Sequence, residues 1–309
     1  MTMERFSHAA EDGFALAAAR WLPAGPVRAV LVVVHGMAEH KQRYAEFAEA
    51  CAADGLAVYA YDHRGHGGSV GPTAPLGHYA DQHGWSRVVG DLEHVVAHAR
   101  AAHPGAPVFV FGHSMGSFIT RAFLVRQGHQ VAGAIISATG FRLGQANRAL
   151  AGVARLEAFR HGPRAPSKLM GKLVFGSFNL QFLPTRTAFD WLSRAEGAVD
   201  AYIADPLCGF DCSGQLWADL LGGVFALERA EADPLQLSQV PLLIIAGSKD
   251  PVSLGGLGSR QLAERYGAAG ARDVTDKRYV GGRHELLNEV NREEVAADVR
   301  QWIRARLAS

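Results

Sequence analysis

Five short runs of β-branched and aromatic residues, separated by segments of helical spacing, leave this chain few architectures to choose from. They are Ala29–Val34, Ala57–Tyr61, Pro107–Phe111, Val131–Ser137 and Pro241–Ala246. Each has the length of a strand and is apolar enough to be buried on both sheet faces. The segments Gln42–Ala53, Trp85–Ala102, Met115–Gln127 and Leu257–Tyr266 instead repeat their apolar residues at helical spacing. Strand–helix alternation of this kind predicts an α/β fold, a mostly parallel central sheet covered by helices on both faces. At the start, Phe6–Leu22 reads as a two-stranded antiparallel edge turning at Asp12-Gly13, and Lys277–Val280 reads as the last strand.

The alternation breaks at Gly140. About seventy residues without a strand pattern follow, too many for a bare loop, and they predict a helical insertion. The expected division is a core of residues 1–139 and 215–309 with a helical cap of residues 140–214. Residues 141–194 hold nine basic groups, Arg142 among them, and only two acidic ones, Glu157 and Asp190. That surplus has two readings, a solvated cap surface or an attraction to anionic lipid or an anionic substrate.

Over the whole chain, 31 Lys and Arg face 30 Asp and Glu, which argues against a general nucleic-acid binder. The three cysteines, Cys51, Cys208 and Cys212, form no paired CxxC units and suggest reduced thiols. Residues 1–21 carry Glu4, Glu11 and Asp12 and do not read as an export signal. The expected location is therefore the cytoplasm.

Chemistry is concentrated at Gly112-His113-Ser114-Met115-Gly116, between a strand and a helical pattern. This is the G-x-S-x-G nucleophile elbow, for which α/β-hydrolases are the reference case. The strained turn exposes the serine, and side chains at the two glycines would collide with neighbouring backbone. A serine hydroxyl needs a base to take its proton. Downstream, Asp250 follows the strand ending at Ala246 and His284 follows the predicted last strand. Both fall at the carboxyl ends of strands, where open α/β sheets build their sites, and Ser…Asp…His is the order of this fold. The expected triad is Ser114, Asp250 and His284. The expected oxyanion donors are the backbone N–H groups of Met115 and of Met37, in the loop after the first buried strand.

These motifs resemble a known family. His35-Gly36-Met37-Ala38-Glu39-His40 with Arg43-Tyr44, the run Asp62-His63-Arg64-Gly65-His66-Gly67-Gly68-Ser69, the elbow, Gly247-Ser248-Lys249-Asp250 and Gly281-Gly282-Arg283-His284-Glu285-Leu286 look like the monoacylglycerol lipase and lysophospholipase group of α/β-hydrolases, also described as serine aminopeptidase S33-like. Leu192-Ser193-Arg194 and Tyr202–Leu207 extend the likeness into the insertion. One departure is Ala38, where the family usually has glycine. The resemblance implies an α/β-hydrolase fold with a cap, and ester hydrolysis without a cofactor. The expected substrate is a small-molecule ester of a medium or long acyl chain, such as a monoacylglycerol or a lysophospholipid. An aminopeptidase or an amide or thioester hydrolase on the same triad, and a non-catalytic small-molecule receptor, remain as alternatives.

Other signals are weaker. His94 and His98 are four apart but lack a third ligand, and they read as a solvated helix face. His284-Glu285-Leu286-Leu287-Asn288 misses the zinc motif H-E-x-x-H at its second ligand. No metal is expected. His63 and His66 read as hydrogen-bonding braces under the site. Phe175, Phe178 and Phe182, at i, i+3 and i+7, read as one helical stripe that packs on one side and lines an acyl pocket on the other.

Overall fold

The computed structural model describes residues 1–141, 145–233 and 239–307. Arg142, counted above in the basic surplus, lies outside the described residues. Eight strands form one sheet: β1 (Thr2–Ala9), β2 (Ala15–Leu22), β3 (Ala29–Val34), β4 (Leu56–Tyr61), β5 (Val108–His113), β6 (Gly133–Ser137), β7 (Leu242–Gly247) and β8 (Val274–Tyr279). Their order is β1-β2-β4-β3-β5-β6-β7-β8. From β4 to β8 every pairing is parallel, and the antiparallel β1–β2 hairpin closes one edge.

Alternation along β3 shows why its run is unbroken. Val30, Val32 and Val34 feed one core while Leu31 and Val33 feed the other. The first core is closed by α2 (Gly84–Ala102), α3 (Met115–Gln127), α7 (Gly214–Ala230) and α8 (Leu257–Ala268). The second is closed by α1 (Ala45–Ala53) and α9 (Arg292–Ala305). Between β6 and β7 the chain inserts α4 (Gln145–His161), α5 (Lys168–Phe175) and α6 (Glu196–Ala204) before reaching α7.

Three local expectations change. The last strand begins at Val274, not Lys277: Asp276, Lys277 and Arg278 leave this edge strand without an apolar run. His98 is not on a solvated face: its ring stacks on Phe6 of β1 at 5.5 Å. The phenylalanine stripe is not one helix. The α-helix stops at Phe175, and Leu180–Phe182 is a separate 3-10 turn. Gly176-Ser177 holds the helix weakly, and Asn179 anchors the chain elsewhere, donating to Thr187 O and accepting from Trp191 N, each at 2.8 Å.

Candidate active site

At the end of β5 the chain turns straight into α3. Ser114 occupies that turn at φ 52° and ψ −117°, a conformation L-residues rarely adopt. Neighbouring groups force it. A Cβ on Gly112 would lie 2.6 Å from the Gly116 carbonyl oxygen, and one on Gly116 would lie 2.2 Å from the Val34 carbonyl oxygen. Only glycines let the elbow sit this close to β3.

The structure brings Ser114, Asp250 and His284 together. Asp250 follows β7 and His284 follows β8. Ser114 Oγ lies 2.9 Å from His284 Nε2, and His284 Nδ1 lies 2.8 Å from Asp250 Oδ1. An ionised carboxylate only accepts, so the proton of the neutral ring sits on Nδ1 and Nε2 is left to accept from the hydroxyl. Burial pushes the Asp250 carboxyl up, but the His284 charge, then bonds from Ser253 and the Val252 N–H, hold it below the usual carboxylate range. Burial likewise pulls His284 down, and the Asp250 carboxylate outweighs it, so its pKa is raised above the ordinary 6.5. His113, buried beside it at 4.8 Å between ring centroids, is pushed down to about 4 by burial and then by His284. It stays neutral and does not compete for the proton.

Met115 is the first residue of α3, so its N–H has no carbonyl one turn behind it in the helix. Met37 lies across the mouth, against two cavities that both reach Ser114. One, of about 390 Å³, has a polar end at His284, Glu39, Glu285 and Tyr202, and the rest of its lining is largely apolar, with Phe189, Leu192, Phe210 and Trp217. The other, of about 430 Å³, is apolar, walled by Phe118, Leu150, Val174, Phe178, Leu221 and Val252. Phe175 lines both cavities and Phe178 the second. Phe182 lines neither and instead lies under the Arg283 guanidinium at 4.2 Å.

Sequence reasoning passed over the parts that hold the triad loops. Trp191, from the insertion, packs its ring 5.0 Å from His284. Its carbonyl accepts from His284 N at 3.4 Å, and the Leu192 carbonyl accepts from Glu285 N at 2.8 Å. Glu39 accepts from Gly36 N, Tyr44 Oη and Arg43. The buried charges in the motif segments were the available signal. His63 does brace the floor: its N–H donates to His35 Nε2 at 3.0 Å, and its ring Nε2 donates to the His35 carbonyl at 3.1 Å. The His66 ring donates to the Arg64 carbonyl at 3.0 Å.

Among the described residues, His40, Asp205 and Cys208 bring three donor atoms within 4.8 Å of one another. They fit a metal poorly. Burial pushes the thiol up to about 12, and the Arg43 cation acts on the same spot. The 2.8 Å contact of His40 Nε2 with Asp205 Oδ2 instead pins the insertion to the loop after β3.

The family model for serine aminopeptidase, S33 matches residues 25–291. A monoacylglycerol lipase of Mycolicibacterium smegmatis is 34% identical over 306 residues, covering 98% of this chain and 97% of the relative. A monoglyceride lipase of Homo sapiens is 31% identical, covering 96% and 89%. Among solved structures, a thermostable carboxyl esterase from Bacillus coagulans in complex with glycerol superposes with a TM-score of 0.90 at 25% identity, covering 99% of each chain.

Proposed function

This chain belongs to the serine aminopeptidase S33 family and is a serine ester hydrolase, and on that premise we propose that it deacylates monoacylglycerols of medium or long chain through an acyl-enzyme on Ser114. The carrying observation is the pair of contacts from Ser114 Oγ to His284 Nε2 and from His284 Nδ1 to Asp250, at the meeting point of two cavities.

In this mechanism Ser114 Oγ attacks the ester carbonyl carbon as His284 Nε2 takes its proton. Asp250 holds the ring and stabilises its cation. The N–H groups of Met37 and Met115 receive the oxyanion, each worth about 3 kcal/mol of barrier. The ester C–O bond then breaks, and His284 passes its proton to the departing alcohol. Water attacks the acyl-enzyme with His284 again as base, releasing the fatty acid and restoring Ser114. The apolar cavity, with Phe175 and Phe178 in its wall, suits the acyl chain. The polar end of the other cavity, at His284, Glu39 and Glu285, suits the glycerol.

An aminopeptidase would need a free carboxylate for the substrate amine. Three carboxylates line the cavity: Arg43 binds Glu39 and Glu285, at 2.8 Å and 2.6 Å, and Asp211 shares the lining with the cations Lys168 and Lys172. That favours the neutral ester. A cap of residues 140–214 over the core, and a cytoplasmic location, belong to the same reading. Three free, buried thiols support the latter. Among the described residues no helix is long and apolar enough to cross a membrane. Contact with an anionic lipid surface is supported by Leu169 and Leu173, about half exposed at 45% and 47% beside Lys168 and Lys172. Cosedimentation with phosphatidylglycerol vesicles against phosphatidylcholine vesicles tests it. For the reaction, a panel of monoacylglycerols, a lysophospholipid, p-nitrophenyl esters and aminoacyl anilides decides. Cleavage of anilides in preference to long-chain glycerides would overturn the assignment.

A further inference from the structure

The loop that presents the Met37 N–H is gripped on two sides, and one side is the cap. Below it, the N–H of His63 donates to His35 Nε2, so the His35 hydrogen sits on Nδ1 and donates to the Gly36 carbonyl at 2.7 Å. The peptide is planar and trans, so holding that carbonyl turns the Met37 N–H away from the buried ring. One residue on, Ala38 stands at φ 52°, a strained conformation for a residue with a Cβ that persists only where surroundings over-determine it.

The surroundings that do so come from the insertion. The Ala38 carbonyl accepts from the Tyr202 hydroxyl at 3.0 Å and from the Gly209 N–H at 2.9 Å. Tyr202 is itself buried, with Phe189 against one side of its ring at 5.2 Å and the Arg43 guanidinium 4.8 Å from its centroid. Gly209 stands at φ 67°, and a Cβ there would press on Tyr202 at 3.2 Å and Phe189 at 3.3 Å.

We propose that the cap completes the oxyanion hole, with Tyr202 as a positioning residue whose hydroxyl locks the Ala38 carbonyl and thereby fixes the Met37 N–H. This rests on the assignment of Met37 as an oxyanion donor. The cap then sets the rate of acyl transfer as well as covering substrate.

The test is Tyr202→Phe in the full chain, which keeps the ring and removes one donor. Active sites are counted by end-point labelling with a fluorophosphonate. Turnover of a monoacylglycerol per labelled site should fall about tenfold, with KM within about twofold. Affinity for a trifluoromethyl ketone of the same acyl chain, which forms the oxyanion adduct, should fall by a matching factor. Affinity for a non-hydrolysable alkyl glyceryl ether, which forms none, should hold. Gly209→Ala, which crowds the same clamp, should shift the same two quantities in the same direction. Unchanged turnover per site and unchanged ketone affinity would overturn the proposal. So would a parallel loss of ether affinity, which would make Tyr202 a substrate contact. Wild-type protein inert on every ester would sink the proposed function instead, before the variant is reached.

Discussion

Arg43 grips Glu285 with two bonds of 2.6 Å, one to each carboxylate oxygen, across 242 residues of sequence. The same guanidinium reaches Glu39 at 2.8 Å. One cation therefore ties the loop after β3 to the loop that carries His284. Arg43→Ala would leave two buried carboxylates without their partner and should cost about 3–5 kcal/mol. Thermal unfolding checks it: a variant melting with the wild type would show that the network carries no such energy.

Removing the nucleophile should abolish turnover and spare the fold. Ser114→Ala is expected to lose about 10⁴-fold or more in kcat. It should take no fluorophosphonate label, while its melting temperature stays near that of the wild type. Residual turnover at a tenth of wild type would remove Ser114 from the mechanism.

The pH dependence follows from His284. Its pKa is raised by Asp250 despite burial, and only the neutral ring accepts the serine proton. With a neutral ester, kcat/KM should climb with pH through a midpoint above the 6.5 of an ordinary histidine. A midpoint below that value would contradict the Asp250 partnership. Asp250→Asn should lower kcat by about 10⁴-fold through the wrong tautomer.

Acid should unfold the protein early. Burial pushes His66 and His113 down to about 4, and His35 and His63 well below their ordinary value. Unfolded, all four bind protons near 6.5. Their neutral burial therefore supports the fold fully above that pH, and the support drains as pH falls toward 4. For His66 alone the difference is of order 3 kcal/mol. Urea midpoints measured from pH 7 to 4.5 should drop steadily, and a flat series would refute this.

Narrowing the apolar cavity should shorten the preferred chain. Leu150 lines it from α4, far from the triad in sequence and only half-buried. Leu150→Trp is expected to spare short p-nitrophenyl esters and penalise long ones by about 0.8 kcal/mol for each excluded methylene. Equal losses at every chain length would place the acyl group elsewhere.

The sheet and the meeting of Ser114, His284 and Asp250 were readable from residues because each follows from local rules. A doubly buried strand must be apolar throughout, as in Ala29–Val34, and an elbow needs Gly112 and Gly116 where backbones nearly touch. What escaped depends on partners far along the chain. The full extent of β8 was hidden because Asp276, Lys277 and Arg278 lie on an edge strand with no apolar run to betray it. The phenylalanine spacing imitated a helix until Asn179 drew the chain toward Thr187 and Trp191. Nothing near Trp191 in sequence announces that its ring will meet His284. Arg43, Glu39 and Glu285 sit in segments already singled out, yet their mutual pairing is a property of the folded molecule.

Ser114 and His284 are 170 residues apart, and His284 follows the last strand of the sheet. On the proposed mechanism, truncation before β8 should therefore leave Ser114 without the imidazole that faces it, and such a chain should turn over no ester.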